Sequence, residues 1–160
     1  MKKGFIKKEA ILVLLFLVTI VLVGCNKKSL VFNKDKLPYL YDENNLSISV
    51  LGGTFAKGED CNIKLKVENK LNSPISLKLS DTYFDDKALK SLNGEHKLNA
   101  NSTYDAYFTF VGSEIDSIKV GDFDKLTGVF VIKKDIPNEK DITIPVTFYR
   151  DFFSNDDFNN

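Results

Sequence analysis

An antiparallel β-sandwich of seven or eight strands is the fold that this sequence predicts, on three observations. Between Leu46 and Arg150 apolar residues recur at every second position in short runs, the period of a strand with one buried face. Clusters of Gly, Pro, Asn and Asp mark turns between those runs. No part of the region carries a convincing amphipathic-helix pattern, so packing sheet on sheet is the way left to bury the apolar faces.

Taken in order, Leu46, Ile48 and Val50 alternate with serines until Gly52-Gly53 breaks the run. Ile63, Leu65 and Val67 alternate with Asn62, Lys64, Lys66 and Glu68, a strand with one wet face. Asn69 to Pro74 is a turn cluster, after which Ile75, Leu77 and Leu79 alternate with Ser76, Lys78 and Ser80. Thr82 to Phe84 predicts a short strand in an irregular segment reaching Leu92, and Asn93-Gly94 marks the next turn. Tyr104, Ala106, Phe108 and Phe110 define another strand, and Ile118 and Val120 predict a brief one before Gly121. Gly128 to Lys133 is a nearly apolar run, and Ile142, Ile144, Val146 and Phe148 close the domain. Pro145 interrupts this last strand on its polar phase, which predicts an edge or a bulge. Residues 25–45 read as a polar tether, with the Leu37 to Tyr41 piece packing on the domain edge or contacting another molecule. Residues 151–160 read as a flexible acidic tail.

The first 24 residues are organised differently. Lys2, Lys3, Lys7 and Lys8 precede an apolar segment from Ala10 to Val23, and Leu22-Val23-Gly24-Cys25 closes it. That charged, apolar, small-residue order is the order of a secretory signal, and the apolar part is too short for a spanning helix of about 20 residues. The closing tetrad resembles the lipobox of bacterial lipoproteins. The resemblance implies a diacylglyceryl and fatty-acyl (palmitate-type) anchor on Cys25, cleavage after Gly24, and a domain at the extracytoplasmic face of the cell membrane. An uncleaved anchor is the competing reading, and it holds the domain at the same face.

Charge and cysteine content narrow the function classes. Residues 1–24 carry four of the 22 basic and one of the 22 acidic side chains, so the remainder is slightly acidic. Arg150 is the one arginine in the chain. Nucleic-acid binders need clustered Lys and Arg, so no nucleic-acid partner is expected. With Cys25 consumed by lipid, Cys61 has no partner for a disulfide or a cysteine-built metal site, and its phase with Ile63, Leu65 and Val67 predicts a small buried hydrophobe.

A second resemblance covers roughly residues 46–149. Val67-Glu68-Asn69-Lys70 ends one strand, Ser73-Pro74-Ile75 opens the next, Phe84-Asp85-Asp86 follows, and Leu98 and Asn101-Ser102 precede the aromatic strand Tyr107 to Phe110. This pattern is similar to the immunoglobulin-like domain of bacterial lipoproteins of unassigned function, with Asn101 where that group usually has Gly. It implies an immunoglobulin-like sandwich outside the cytoplasm and no catalytic residues.

No catalytic constellation is predicted. His96 is the one histidine, placed beside Glu95 on an expected exposed turn, and no nucleophile elbow, phosphate loop or dinucleotide fingerprint occurs. Asp85 and Asp86 are adjacent, so on a strand they would point to opposite faces. The chain is therefore expected to be no enzyme and to need no cofactor. Asp81, Asp85 and Asp86 in one loop, and Asp122 and Asp124 in another, are weak calcium candidates, because calcium takes six to eight hard oxygens. The tyrosines and Phe84 exceed what the core strands need, and Tyr107, Tyr83 and Phe84 are the candidate binding residues. Tyr107 is out of phase with Ala106 and Phe108 and should face outward. The expected role is a non-enzymatic interaction or envelope-assembly module with a protein partner. The alternative is a carrier of a small ligand or glycan, which should show an apolar pocket between the sheets.

Overall fold

The computed structural model describes residues 29–89, 94–120 and 122–155. The signal-like segment and Cys25 lie outside the described residues. Among the described residues eleven strands form two sheets. They are β1 (Leu30–Phe32), β2 (Tyr39–Glu43), β3 (Leu46–Thr54), β4 (Cys61–Asn69), β5 (Ile75–Phe84), β6 (Lys87–Ala88), β7 (His96–Leu98), β8 (Ser102–Phe110), β9 (Lys125–Lys134), β10 (Ile142–Tyr149) and β11 (Phe153–Ser154). Among the described residues a helix, α1 (Gly112–Ser117), and a 3-10 turn at Arg150–Phe152 complete them. The first sheet runs β1-β10-β9-β5-β6 with β7 also on β5, and the second runs β11-β3-β4-β8 with β2 also on β3. Pairing is antiparallel except at β1 with β10 and β11 with β3. The protein is an immunoglobulin-like antiparallel β-sandwich.

The alternating pattern places the core as expected. Along β4 every residue from Cys61 to Asn69 at odd number is buried, and Lys64, Lys66 and Glu68 lie on the outer face. Phe32, Phe84, Phe108, Phe110, Phe130 and Phe148 are fully buried between the sheets. Edge-to-face contacts join Phe84 to Phe110 at 5.5 Å and Phe108 to Phe130 at 5.2 Å, the arrangement that aromatic quadrupoles favour.

The sandwich is larger than the expected 46–150. β1 and β2 are built from residues assigned to the tether, and Phe32 and Leu40 are buried. The β2–β3 connection is the two-residue hairpin Asn44-Asn45, both at positive φ (51° and 65°), a conformation asparagine tolerates. The tail is likewise part of the fold up to Asn155. Phe152 and Phe153 are buried against Phe148 and Phe123. Gly53 makes room for them, since a Cβ there would lie 2.4 Å from the Phe152 ring and 2.6 Å from the Phe153 ring.

Two local expectations change and the edge expected at Pro145 holds. Gly52-Gly53 does not end β3, which continues through a bulge at Leu51. Ile118 and Val120 follow a helix rather than forming a strand, since α1 starts where the Asp60 carboxylate accepts the Gly112 N–H at 2.8 Å. Pro145 pairs in register with Val129 and lies just before the stretch of β10 that β1 covers, so its missing N–H falls at a partly open edge.

Asn69 fixes one end of the sandwich. Its buried amide donates to the Ser73 carbonyl at 3.1 Å and the Asn99 carbonyl at 2.8 Å, and its carbonyl oxygen accepts the Leu71 N–H at 3.1 Å. The connections β2–β3, β4–β5, β7–β8 and β9–β10 all lie at this end, called lower below. The β3–β4, β5–β6 and β8–β9 connections, with α1 and the segment after Tyr149, form the upper end.

Candidate interaction surfaces

The outer face of the second sheet is the most distinctive surface. The register sets Tyr39 beside Ser49, Ser49 beside Lys66, and Lys66 beside Asp105, while Lys64 pairs with Tyr107 across β4 and β8. Tyr39 and Tyr107 are 58% and 42% exposed, and Leu51, out of phase with the buried Ile48 and Val50, is 44% exposed. The Lys64 ammonium lies 5.3 Å from the centre of the Tyr107 ring and 3.5 Å from the Asp105 carboxylate. A hydrogen bond with Tyr107, and secondarily the Asp105 charge, holds that ammonium above its ordinary pKa. Lys66 pairs with Glu68 at 2.8 Å, which keeps the Glu68 carboxyl below the usual carboxylate range. The result is a flat sheet face on which aromatic and aliphatic groups are framed by paired charges. Such a face can stack against apolar groups and donate or accept hydrogen bonds around them.

The three expected binding residues do not come together. Tyr107 faces outward on β8, as its phase requires. Tyr83 is 41% exposed but lies on β5, in the opposite sheet. Phe84 is corrected from binding residue to core residue: it is fully buried, with its ring 4.8 Å from Phe123. The cause is a bulge in β5 between Ser80 and Tyr83, where Asp81 takes a positive φ of 51°. That extra residue flips the phase, turning Tyr83 out and Phe84 in. His96 is also corrected: it lies on β7, half-buried, with Nε2 3.0 Å from the Tyr107 carbonyl and its ring 4.8 Å from Phe108. It thus ties the first sheet to the edge of the second.

The acidic loops meet at the upper end, with protein donors as partners. One Asp85 oxygen accepts the Asp124 and Lys125 N–H groups at 3.0 and 3.1 Å. Asp122 accepts from the Arg150 guanidinium at 3.2 Å. Asp81 stands apart in the β5 bulge, 3.5 Å from the Ser80 hydroxyl. Among the described residues no three His, Cys, Asp or Glu side chains are grouped to hold a metal ion. The calcium candidates therefore do not converge on one site.

Sequence reasoning missed the centre of this end. Arg150 donates to Asp122, to the Phe153 carbonyl at 3.0 Å and to Asn155 at 3.1 Å, and stacks 5.1 Å from the Phe55 ring. Its being the one arginine was the available signal, because a fork of five donors suits several acceptors at once. Depressions open on either side of it, one lined by Asn33, Asp124, Tyr149 and Asp151, the other by Phe55, Ala56, Lys57 and Asp122. A further one of about 260 Å³ on the first sheet is lined by Pro74, Ser76, Glu95, Lys97, Lys133 and Asp135. Burial at Cys61 pushes its thiol pKa up, out of the range of a reactive thiolate.

No protein-family model matches the chain, and no curated protein matches it. Solved structures share the architecture at low identity. The ASH / PapD-like domain of human CEP192 is 10% identical with a TM-score of 0.41, covering 74% of this chain and 95% of that domain. A β-glucosidase from Listeria innocua is 13% identical with a TM-score of 0.35, covering 68% of this chain and 17% of the enzyme. A protein from Archaeoglobus fulgidus is 13% identical with a TM-score of 0.31, covering 71% and 93%. These likenesses concern the fold alone.

Proposed function

We propose that this protein is an extracytoplasmic lipoprotein, anchored in the cell membrane through lipid on Cys25, whose sandwich is a non-enzymatic module that binds a protein partner or supports an envelope assembly. The address rests on the lipobox-like Leu22-Val23-Gly24-Cys25. The role rests on one structural observation, the flat outer face of the second sheet carrying Tyr39, Leu51 and Tyr107 among paired charges. Exposed tyrosines supply contact area with few rotatable bonds, which suits them to protein interfaces. The alternative, a small-ligand or glycan carrier, gains less support, because phenylalanines fill the space between the sheets.

Two measurements test this reading. Metabolic labelling with an alkyne fatty acid should mark the wild type and not Cys25→Ser; labelling that survives the substitution refutes the anchor. A photo-crosslinking residue at position 107 should capture a small reproducible set of envelope proteins, while one at position 83 should not. Identical capture from both positions refutes the interaction face.

A further inference from the structure

The short distance between Cys25 and the first strand limits how far an anchored domain can stand from the bilayer. Leu30 pairs with Val146, which is part-way along β10 rather than at its lower start, Ile142. At about 3.3 Å per residue, Val146 is about 13 Å above the lower end of the sheet. Because β1 runs parallel to β10, Leu30 is the end of β1 that faces the lower side, and any reach from Leu30 to that end has to cover those roughly 13 Å. The five steps from Cys25 to Leu30 span at most about 18 Å even if fully extended. Only about 5 Å of slack remains below Ile142, while the β9–β10 connection, residues 135–141, projects beyond it. A lipid-bearing sulfur at headgroup level therefore leaves no room for bilayer and domain to stand apart.

That end is built to tolerate the contact. Ile136 is 41% exposed at the tip of the β9–β10 connection. The connection is held in shape by the Asp135 N–H donating to the Pro74 carbonyl at 3.0 Å and by the Lys134–Glu139 ion pair at 2.6 Å. Lys70, Lys97, Lys133, Lys134 and Lys140 offset Glu43, Glu68, Asp135, Glu139 and Asp141 at and beside these connections, leaving Asp42 in excess, and Lys27 and Lys28 follow Cys25 in sequence. The acidic pairs Glu59-Asp60 and Asp85-Asp86 lie at the upper end, away from anionic headgroups that would repel them.

We propose that the short anchor holds the lower end of the sandwich, with Ile136 exposed on it, against the headgroups and so presents the Arg150 end to the cell exterior. This rests on the Cys25 anchor. The test uses the lipidated protein in phosphatidylglycerol–phosphatidylcholine vesicles, with an environment-sensitive probe on Ile136→Cys, Lys57→Cys or Asp35→Cys; the buried Cys61 stays unlabelled in the folded state. Nitroxide headgroup lipids should quench the probe at 136 several-fold more strongly than those at 57 and 35. A Gly-Ser insert of roughly 20 residues after Asn26 should abolish the difference by freeing the domain. Equal quenching at 57 or 35, or a difference that survives the insert, overturns the proposal. Protein that fails to float with vesicles refutes the anchor itself, and flotation keeps that failure distinct from a wrong orientation.

Discussion

Replacing Asn69 is the sharpest test of how the lower end is held. The side chain is fully buried and makes three hydrogen bonds to backbone groups of two different connections. Asn69→Ala removes all three. At about 1 kcal/mol net each, with the freed Ser73 and Asn99 carbonyls partly rehydrated by a water entering the vacated space, the loss should be about 3 kcal/mol. For a domain of this size that corresponds to roughly 10 °C in Tm. Asn69→Asp separates donor from acceptor: it retains the oxygen for the Leu71 N–H but turns a second oxygen toward two carbonyls. It should be no more stable than the Ala variant at neutral pH. Acid should rescue it, because a protonated carboxyl can donate again. Its folded pKa would be raised, so the variant is most stable below the unfolded value of about 3.9 and loses about 1.4 kcal/mol per pH unit above it. Urea denaturation of the lipid-free domain, followed by circular dichroism across pH, measures both variants. A cost below about 1 kcal/mol for Ala, or an Asp variant as stable as wild type at neutral pH, would refute the keystone role.

Three other substitutions test separate features. Phe84→Ala should cost about 3–5 kcal/mol as a core cavity, whereas the adjacent Tyr83→Ala should cost under about 0.5 kcal/mol; comparable denaturation midpoints would contradict the reversed phase of β5. Gly53→Ala should cost about 1–3 kcal/mol and expose residues 151–155 to limited proteolysis, because its Cβ meets both Phe152 and Phe153. Cys61 should stay inert to thiol reagents until the domain unfolds. Its raised folded pKa means stability holds below the unfolded value of about 8.5 and falls as pH rises past it, when only the unfolded chain ionises. A stability curve flat to pH 10 would remove that linkage.

The long strands were legible because one wet face and one buried face write a period of two into β4, β5, β8 and β10. What the period could not carry was its own interruption. Asp81 and Leu51 each add a residue to a strand and reverse the facing of everything beyond, so Phe84 reads as surface and proves core. The polar look of Asn44-Asn45 suggested a linker, although paired asparagines are also hairpin chemistry. β1 and β11 are three and two residues long, too short for any period, and depend on contacts far along the chain. Of the candidate surface, Tyr107 was read from phase, and Leu51, out of phase with Ile48 and Val50, carried the same signal; Tyr39 did not, since it needed β2.

The parallel pairing of β1 with β10 also bears on how the fold is reached. Ser29 and Thr147 are hydrogen-bonded across 118 positions of sequence. The edge of the first sheet therefore cannot close until β10 has been made and delivered, so this closure belongs late in folding. Non-local pairing of this kind places the domain among the slow, millisecond-to-second folders. During that interval β10 offers an unpaired edge, which is open to pairing with a strand of a neighbouring chain.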